Sequence, residues 1–216
     1  MYDYILFDLD GTISDSSLGI TKGIQIALRS LGIEEPLDNL RKFIGPPLTY
    51  SFSKFYDFDE EQTDKAIKAY RDYYSKTGLF ENTAYEGIDA LLRKVKESGR
   101  KIAVATSKPA VFSRQILDKF GLLDYFDIVS GATLEGDGEK PRASKTEVVE
   151  YALLQFGNPD KSKVVLVGDT KFDAEGAAAV GIDCIGVLYG FGTRETLEAA
   201  GVKHIAPTIE DIFQYL

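Results

Sequence analysis

Short apolar runs that alternate with helical patterns are the feature that most restricts how this chain of 216 residues can fold. The runs are Tyr4–Phe7, Ile102–Ala105, Phe126–Val129, Val164–Val167 and Cys184–Leu188. Parallel strands that helices cover on both faces have nearly continuous apolar runs, because neither face meets water. Between most of the runs, apolar residues recur at helical spacing, with stops at Gly99 and Gly157. The alternation predicts an α/β fold with a parallel sheet.

The interval from residue 15 to residue 80 interrupts this alternation, because it contains helical stretches and no convincing strand. One apolar stripe begins at Ile20, a second begins at Ala66, and Gly45-Pro46-Pro47 separates them. We therefore expect an inserted all-helical lobe of residues 15–80, and a core domain formed by residues 1–14 and 81–216. A core of this length can bury an ordinary apolar interior without a partner.

Composition excludes several classes of function. The net charge of −9 opposes binding to nucleic acid polymers and to anionic membrane surfaces. No apolar stretch approaches the roughly 20 residues of a membrane span, and the first residues do not have the pattern of a secretion signal, so we expect a cytoplasmic protein. The single cysteine, Cys184, rules out an internal disulfide, and the single histidine, His204, argues against a Ser-His-Asp hydrolase.

The segment Asp8-Leu9-Asp10-Gly11-Thr12 places two carboxylates at the end of the first predicted strand. Residues i and i+2 of a strand project to the same side, so Asp8 and Asp10 can face one small volume. Two carboxylates about 4 Å apart repel by roughly 4 kcal/mol at an effective dielectric constant near 20, so the pair needs a cation, a shared proton or open solvent. The alternative is an acidic turn that caps a helix.

Polar residues also follow two other predicted strands. Thr106-Ser107 comes after the run that ends at Ala105, and Gly168-Asp169 comes after the run that ends at Val167. Ligands of open parallel sheets bind beyond the carboxyl ends of the strands, so these groups can converge. Asp169 and Asp173, together with Asp8, form a set of oxygen ligands that suits Mg²⁺, whereas Zn²⁺ would require histidine or cysteine. The alternative for Asp173 is an exposed charge on a helix.

Taken in this order, the motifs resemble those of the haloacid-dehalogenase-like (HAD) superfamily, in the phosphoglycolate phosphatase-like branch with a helical cap. Asp8–Thr12 looks like the first motif, Thr106 the second and Gly168–Asp173 the fourth. The resemblance covers nearly the full chain and implies a Rossmann-like parallel sheet core with an inserted all-helical cap domain. It also implies magnesium-dependent hydrolysis of a small phosphorylated metabolite, with phosphoglycolate and nucleoside monophosphates among the candidates.

The resemblance implies a role for each carboxylate. Asp8 would attack phosphorus and form an aspartyl-phosphate, while Asp10 would protonate the leaving oxygen and later activate water. Mg²⁺ would be bound by the side chains of Asp8 and Asp169 and by the backbone carbonyl of Asp10. Asp173 would help to bind the metal directly or through water.

The resemblance also implies phosphate-binding groups. The Thr106 hydroxyl and the backbone N–H of Ser107 would bind the phosphoryl oxygens. The third motif is a lysine that neutralises the nucleophile and the phosphate, and Lys108, Lys140 and Lys145 are its candidates. We favour Lys145, because it opens a helical pattern, as this lysine commonly does in the branch that the chain resembles.

Substrate contacts outside these motifs are harder to predict. Lys108 is predicted at the rim of the site, and Arg41 is predicted to reach the substrate from the lobe, because a closing cap brings polar groups to the leaving group. An exposed position is the alternative for Arg41. Gly190 and Gly192 are interpreted as turn residues.

Two other functions are alternatives to a phosphatase. A sugar phosphomutase of the same superfamily often has valine where this chain has Thr12, which is the form found in phosphatases. A phosphate-accepting signalling module is shorter than this chain and has no helical insert. The sequence leaves open whether the protein is a monomer or a homodimer.

Overall fold

The computed structural model describes residues 1–46, 48–134 and 141–216. These residues form two compact units, of which the larger contains Met1–Ser14 and Ala84–Leu216. The smaller unit is Asp15–Thr83. The assignment of residues 15–80 to a functional cap domain stays a prediction.

Parallel strands form the centre of the larger unit. The strands of the described chain are β1 Tyr4–Phe7, β2 Ser14–Asp15, β3 Thr83–Ala84, β4 Lys101–Pro109, β5 Ile128–Ala132, β6 Val164–Gly168, β7 Asp183–Val187 and β8 His204–Ala206. Six of them pair in parallel in the order β5-β4-β1-β6-β7-β8, and β2 pairs with β3 where the chain passes between the units. Ile5, Leu6 and Phe7 of the central strand are fully buried, as expected for a sheet covered on both faces. The predicted parallel α/β core is confirmed.

Helices of the larger unit connect these strands. They are α4 Ile88–Glu97, α5 Ala110–Lys119, α6 Lys145–Gln155, α7 Lys171–Val180 and α8 Arg194–Ala199, with short 3₁₀ turns at Leu123–Tyr125, Lys161–Lys163 and Ile212–Tyr215. A capping box begins α6, because the Ser144 hydroxyl accepts from the Glu147 N–H and the Glu147 carboxylate accepts from the Ser144 N–H. This cap fixes Lys145 at the first position of the helix.

Among the residues that the structure describes, the smaller unit has strand residues only at its two ends, Asp15 and Thr83, and its other regular elements are helices. Its elements are α1 Ser17–Arg29, α2 Leu48–Tyr56 and α3 Glu60–Tyr74, with 3₁₀ turns at Leu37–Phe43 and Gly78–Phe80. Aromatic rings form part of its core. The rings of Phe43 and Phe52 lie 5.1 Å apart, and those of Phe52 and Phe58 lie 5.7 Å apart.

The short strands β2 and β3 were not predicted, and the ends of β6 and β7 differ by one residue from the predicted runs. Three further strands differ from the sequence-based prediction. Strand β4 continues beyond Ala105 to Pro109, with a shift in its register against β5 between these two residues. Strand β5 begins at Ile128 instead of Phe126, because a 3₁₀ turn precedes it. Strand β8 was not predicted, since an edge strand of three residues has no recognisable periodicity.

Across the ranges 1–46, 48–134 and 141–216, no helix is long and apolar enough to cross a membrane.

Candidate active site

Asp8 and Asp10 lie just beyond the carboxyl end of β1. The Asp8 N–H donates to the Val167 carbonyl oxygen at 2.9 Å, so Asp8 still follows the direction of the strand. The chain then turns sharply at Gly11, whose φ of 88° is a left-handed conformation that glycine adopts without strain. The Gly11 N–H donates to the Ser14 carbonyl oxygen at 2.8 Å and holds the turn closed.

The segment from the end of β6 to the first turn of α7 contributes two more buried carboxylates. Asp169 accepts from the Thr12 hydroxyl at 3.2 Å and from the Phe191 N–H at 2.8 Å. Asp173 lies in the first turn of α7, where its Oδ2 accepts from the N–H and the hydroxyl of Thr170 at 2.9 and 2.8 Å. The cap of α7 therefore fixes the position of the Asp173 side chain.

Asp8, Asp169 and Asp173 form an acidic cluster, with carboxylate oxygens that lie within 4.8 Å of one another. All three residues are buried, and so is Lys145. The Lys145 Nζ lies 2.6 Å from Asp8 Oδ1 and 2.7 Å from Asp173 Oδ1, and it donates to the Ala105 carbonyl oxygen at 3.0 Å. Three carboxylates and one ammonium leave two excess negative charges when all are ionised. An oxygen-only set with excess negative charge fits a hard divalent cation such as Mg²⁺.

The pKa values show how poorly the cluster is neutralised. Burial raises the pKa of Asp8 to about 6, and the positive charge of Lys145 only partly opposes this effect. Burial and the charges of Asp173 and Asp8 raise the pKa of Asp169 well above its usual value. Burial disfavours the charged form of Lys145, but the charges of Asp173 and Asp8 outweigh it and raise its pKa. A bound cation would favour the ionised carboxylates.

The end of β4 places two further polar side chains in the larger unit. Thr106 and Lys108 are buried, as expected for residues i and i+2 on one side of a strand, whereas Ser107 between them is exposed. The Lys108 N–H donates to the Thr106 hydroxyl at 3.2 Å. The Lys108 Nζ lies 2.9 Å from Asp10 Oδ2. Acidic and basic side chains from β1, β4, β6 and α6 thus meet at the carboxyl end of one sheet.

Comparison with known proteins identifies the family to which this arrangement belongs. Residues 5–187 match the model of the family described as haloacid dehalogenase-like hydrolase. The chain belongs to this family. The predicted membership of the HAD superfamily is therefore confirmed.

Proteins with similar sequences carry several different names. A Pseudomonas aeruginosa protein named 5'-nucleotidase is 40% identical over 216 residues, which is 100% of this chain and 96% of that protein. A Mycobacterium tuberculosis protein named tyrosine-protein kinase PtkA is 35% identical over 98% of this chain and 72% of its own length. Other relatives are named phosphoglycolate phosphatase.

A solved HAD structure is similar to the whole chain. The crystal structure of a Clostridium acetobutylicum protein described as a predicted phosphatase has a TM-score of 0.92 and 43% identity. The similarity covers 100% of this chain and 98% of that one. Together with the names of the relatives, this finding confirms the expected class of enzyme, a phosphomonoester hydrolase of the HAD type.

The candidates for the lysine of the third HAD motif have different surroundings in the structure. Lys145 contacts Asp8, and Lys108 contacts Asp10, a partner that the sequence analysis did not identify. Lys140 lies outside the described residues. Arg41 lies in a 3₁₀ turn of the smaller unit with an exposed side chain, and its contact with substrate stays a prediction.

The loop after β7 is a part of the site that the sequence analysis missed. Besides the Phe191 N–H on Asp169, the Tyr189 hydroxyl donates to the Thr12 carbonyl oxygen at 2.9 Å. A Cβ atom on Gly190 would overlap the Gly11 carbonyl oxygen and the Asp169 side chain. The glycines of this loop therefore allow close approach to the acidic cluster, in addition to turning the chain. The sequence signal that could have identified this loop is the pair Gly190 and Gly192, which comes shortly after a predicted parallel strand.

Proposed function

We propose that this chain is a magnesium-dependent phosphatase that hydrolyses small phosphomonoesters through an aspartyl-phosphate on Asp8. The observation that carries the proposal is the buried acidic cluster of Asp8, Asp169 and Asp173, with its two excess negative charges. Such a cluster is costly unless a cation neutralises it, and phosphate oxygens commonly complete the coordination of Mg²⁺.

Asp8 is the proposed nucleophile. One carboxylate oxygen would attack phosphorus, the bond from phosphorus to the ester oxygen would break, and the alcohol would leave. Lys145, 2.6 Å from Asp8 Oδ1, would orient the carboxylate and offset the charge of the incoming phosphoryl group. Thr106 and the backbone N–H of Ser107 would bind the phosphoryl oxygens.

Asp10 is the proposed general acid and base. It would give a proton to the leaving ester oxygen and later take a proton from the water that hydrolyses the aspartyl-phosphate. Because Asp10 follows Asp8 by two residues at the end of β1, its side chain can project to the same side of the strand as the nucleophile.

The metal would be held mainly by Asp8 and Asp169, with the backbone carbonyl of Asp10. Both oxygens of Asp173 already have partners, Oδ1 on Lys145 and Oδ2 on Thr170, so Asp173 would act through a bound water. When bound, Mg²⁺ would supply positive charge that offsets the repulsion between the phosphoryl group and the carboxylates.

Nucleoside monophosphates are our first choice of substrate, because the relative with 40% identity is named 5'-nucleotidase. Phosphoglycolate comes next, from the relatives with that name. A second candidate function is transfer of a phosphoryl group to a tyrosine hydroxyl. It is favoured by the relative of 35% identity that is named a tyrosine-protein kinase.

A phosphate-release assay with and without Mg²⁺ tests the proposal on nucleoside monophosphates, phosphoglycolate, sugar phosphates and p-nitrophenyl phosphate. We expect turnover that requires Mg²⁺, and Asp8→Asn should lower it by at least about 10³-fold while the variant still folds. A parallel reaction with ATP and a tyrosine peptide tests the second candidate. Phosphotyrosine without phosphate release, or turnover that survives Asp8→Asn, would contradict the phosphatase.

A further inference from the structure

A second buried lysine, Lys108, lies beside Asp10, which is the proposed general acid and base. The Lys108 Nζ is 2.9 Å from Asp10 Oδ2, and the side chains of Lys108 and Asp10 are 6% and 20% exposed. Lys145 is a different group, since it contacts Asp8 and Asp173. The two lysines therefore contact different carboxylates of the site, and Lys108 contacts Asp10.

We propose that Lys108 is a positioning residue that holds the Asp10 carboxylate in the orientation from which it takes a proton from water. This inference rests on the proposed phosphatase function, because it concerns the second step of that reaction. In that step the water oxygen forms a bond to phosphorus, and the bond between phosphorus and the Asp8 oxygen breaks. The water proton moves to Asp10, and inorganic phosphate leaves.

Lys108 lies in an irregular part of β4. The register of β4 against β5 shifts between Ala105 and Pro109, so the residues between them depart from the regular ladder. The Lys108 N–H donates to the Thr106 hydroxyl at 3.2 Å within this segment. The same local structure therefore orients the proposed phosphate-binding threonine and the lysine.

The two oxygens of Asp10 have different surroundings. Oδ2 is paired with Lys108, whereas Oδ1 is buried and has no hydrogen-bond partner among the described residues. Buried polar atoms normally have partners, so an unpaired carboxylate oxygen in a site indicates a group that binds during the reaction. With Oδ2 held by the lysine, Oδ1 is the oxygen left to accept the proton.

The two steps depend on Asp10 to different degrees. The second step uses Asp10 with every substrate, whereas the first step uses it only when the leaving oxygen needs a proton. A leaving group such as p-nitrophenolate needs no proton from Asp10. With p-nitrophenyl phosphate, loss of Lys108 should therefore slow hydrolysis of the aspartyl-phosphate and spare its formation.

The test compares wild type, Lys108→Met and Lys108→Arg with p-nitrophenyl phosphate and Mg²⁺. For Lys108→Met we expect kcat to fall by about 10- to 10²-fold, while kcat/KM changes by less than about threefold. We also expect a burst of about one equivalent of nitrophenolate per enzyme and accumulation of phosphorylated Asp8, detected by mass spectrometry. Lys108→Arg, which keeps the charge, should recover most of kcat.

A double-mutant cycle with Asp10→Asn shows whether Lys108 acts through Asp10. In the Asp10→Asn background, Lys108→Met should change kcat by less than about twofold, because the two residues would act as a unit. Equal losses in both backgrounds, or a parallel fall of kcat and kcat/KM without phosphorylated enzyme, would overturn the inference. If Lys108→Met alone does not fold, Lys108→Arg and the double variant decide. Failure of the phosphatase proposal looks different, since wild type itself would release no nitrophenolate.

Discussion

The two ends of the central sheet use charged side chains in opposite ways. At the amino end, Asp127 lies 3.1 Å from Lys101 and 3.7 Å from Lys96, and it accepts from the Ile102 N–H. These contacts outweigh partial burial and lower the pKa of Asp127. At the carboxyl end, the pKa of Asp8 is raised, because burial outweighs the help of a single lysine. One end satisfies its charges within the protein, whereas the other retains unsatisfied negative charge.

This difference indicates that the amino end of the sheet contributes to stability, whereas the carboxyl end is suited to binding a ligand. Partly exposed ion pairs such as Lys101 with Asp127 are typically worth 0 to about 1 kcal/mol and fix a strand in place. The carboxyl end lowers stability without a ligand, because carboxylates are buried together with too little positive charge. Such an arrangement has value for binding a cation and a phosphate, so the comparison predicts where substitutions affect stability and where they affect function.

The largest contrast is expected between Lys145→Met and its control at the amino end, Lys101→Met. Lys145→Met leaves two buried carboxylates without their cation, so it should lower the free energy of unfolding by about 3 kcal/mol in metal-free protein. Lys101→Met should lower it by less than about 1 kcal/mol. Urea denaturation of both variants measures the difference, and equal losses would show that the two ends are energetically alike.

A smaller effect is expected from Gly190→Ala. The added methyl group would push against Asp169, so the dissociation constant for Mg²⁺ should rise by about 10- to 100-fold. The increase in melting temperature on Mg²⁺ titration provides the measurement. Gly99→Ala, just before β4, is the control, because Gly99 has a φ of 80° and an added Cβ atom would meet no other side chain or backbone within 4 Å beyond its chain neighbours. Gly99→Ala should lose about 1 kcal/mol of stability, while its dissociation constant for Mg²⁺ stays at the wild-type value. If Gly190→Ala also has the wild-type dissociation constant, the loop after β7 does not support Mg²⁺ binding.

The smallest effect is a dependence of stability on pH in metal-free protein. The folded pKa of Asp8, about 6, lies above its unfolded value of 3.8, so folding takes up a proton between these values. Asp8 alone should therefore raise the stability by about 1 kcal/mol as the pH falls from 7 to 5, and the raised pKa of Asp169 acts in the same direction. Asp127 has the opposite sign, but its lowered pKa acts below this range.

Asp8→Asn should reduce this slope, and saturating Mg²⁺ should remove it, because the cation favours the ionised carboxylate. Denaturation curves at pH 5, 6 and 7 measure these changes. A slope that is the same in wild type and Asp8→Asn would show that Asp8 is not its source.

The sequence was most informative where strand ends could be recognised. Asp8 and Asp169 were identified because each follows a buried apolar run, and the structure brings them together. The contact between Lys108 and Asp10 was not predicted, since the predicted strand ends at Ala105, whereas β4 continues to Pro109 with a shift in register that residue types do not reveal. The approach of Gly190 to Asp169 likewise depends on the path of a loop from a distant part of the chain.

Asp173 links the folding of a helix to the placement of a charge. Asp173 Oδ2 accepts from the N–H and the hydroxyl of Thr170 and so caps the start of α7, while Asp173 Oδ1 contacts Lys145. Fraying of the first turn of α7 would therefore break both sets of contacts at once. Local opening at residue 170, of the kind that amide hydrogen exchange detects, would therefore leave Lys145 with Asp8 and the Ala105 carbonyl oxygen as its contacts in the site. The equilibrium population of the closed turn sets an upper limit on the fraction of molecules in which both Asp8 and Asp173 hold Lys145.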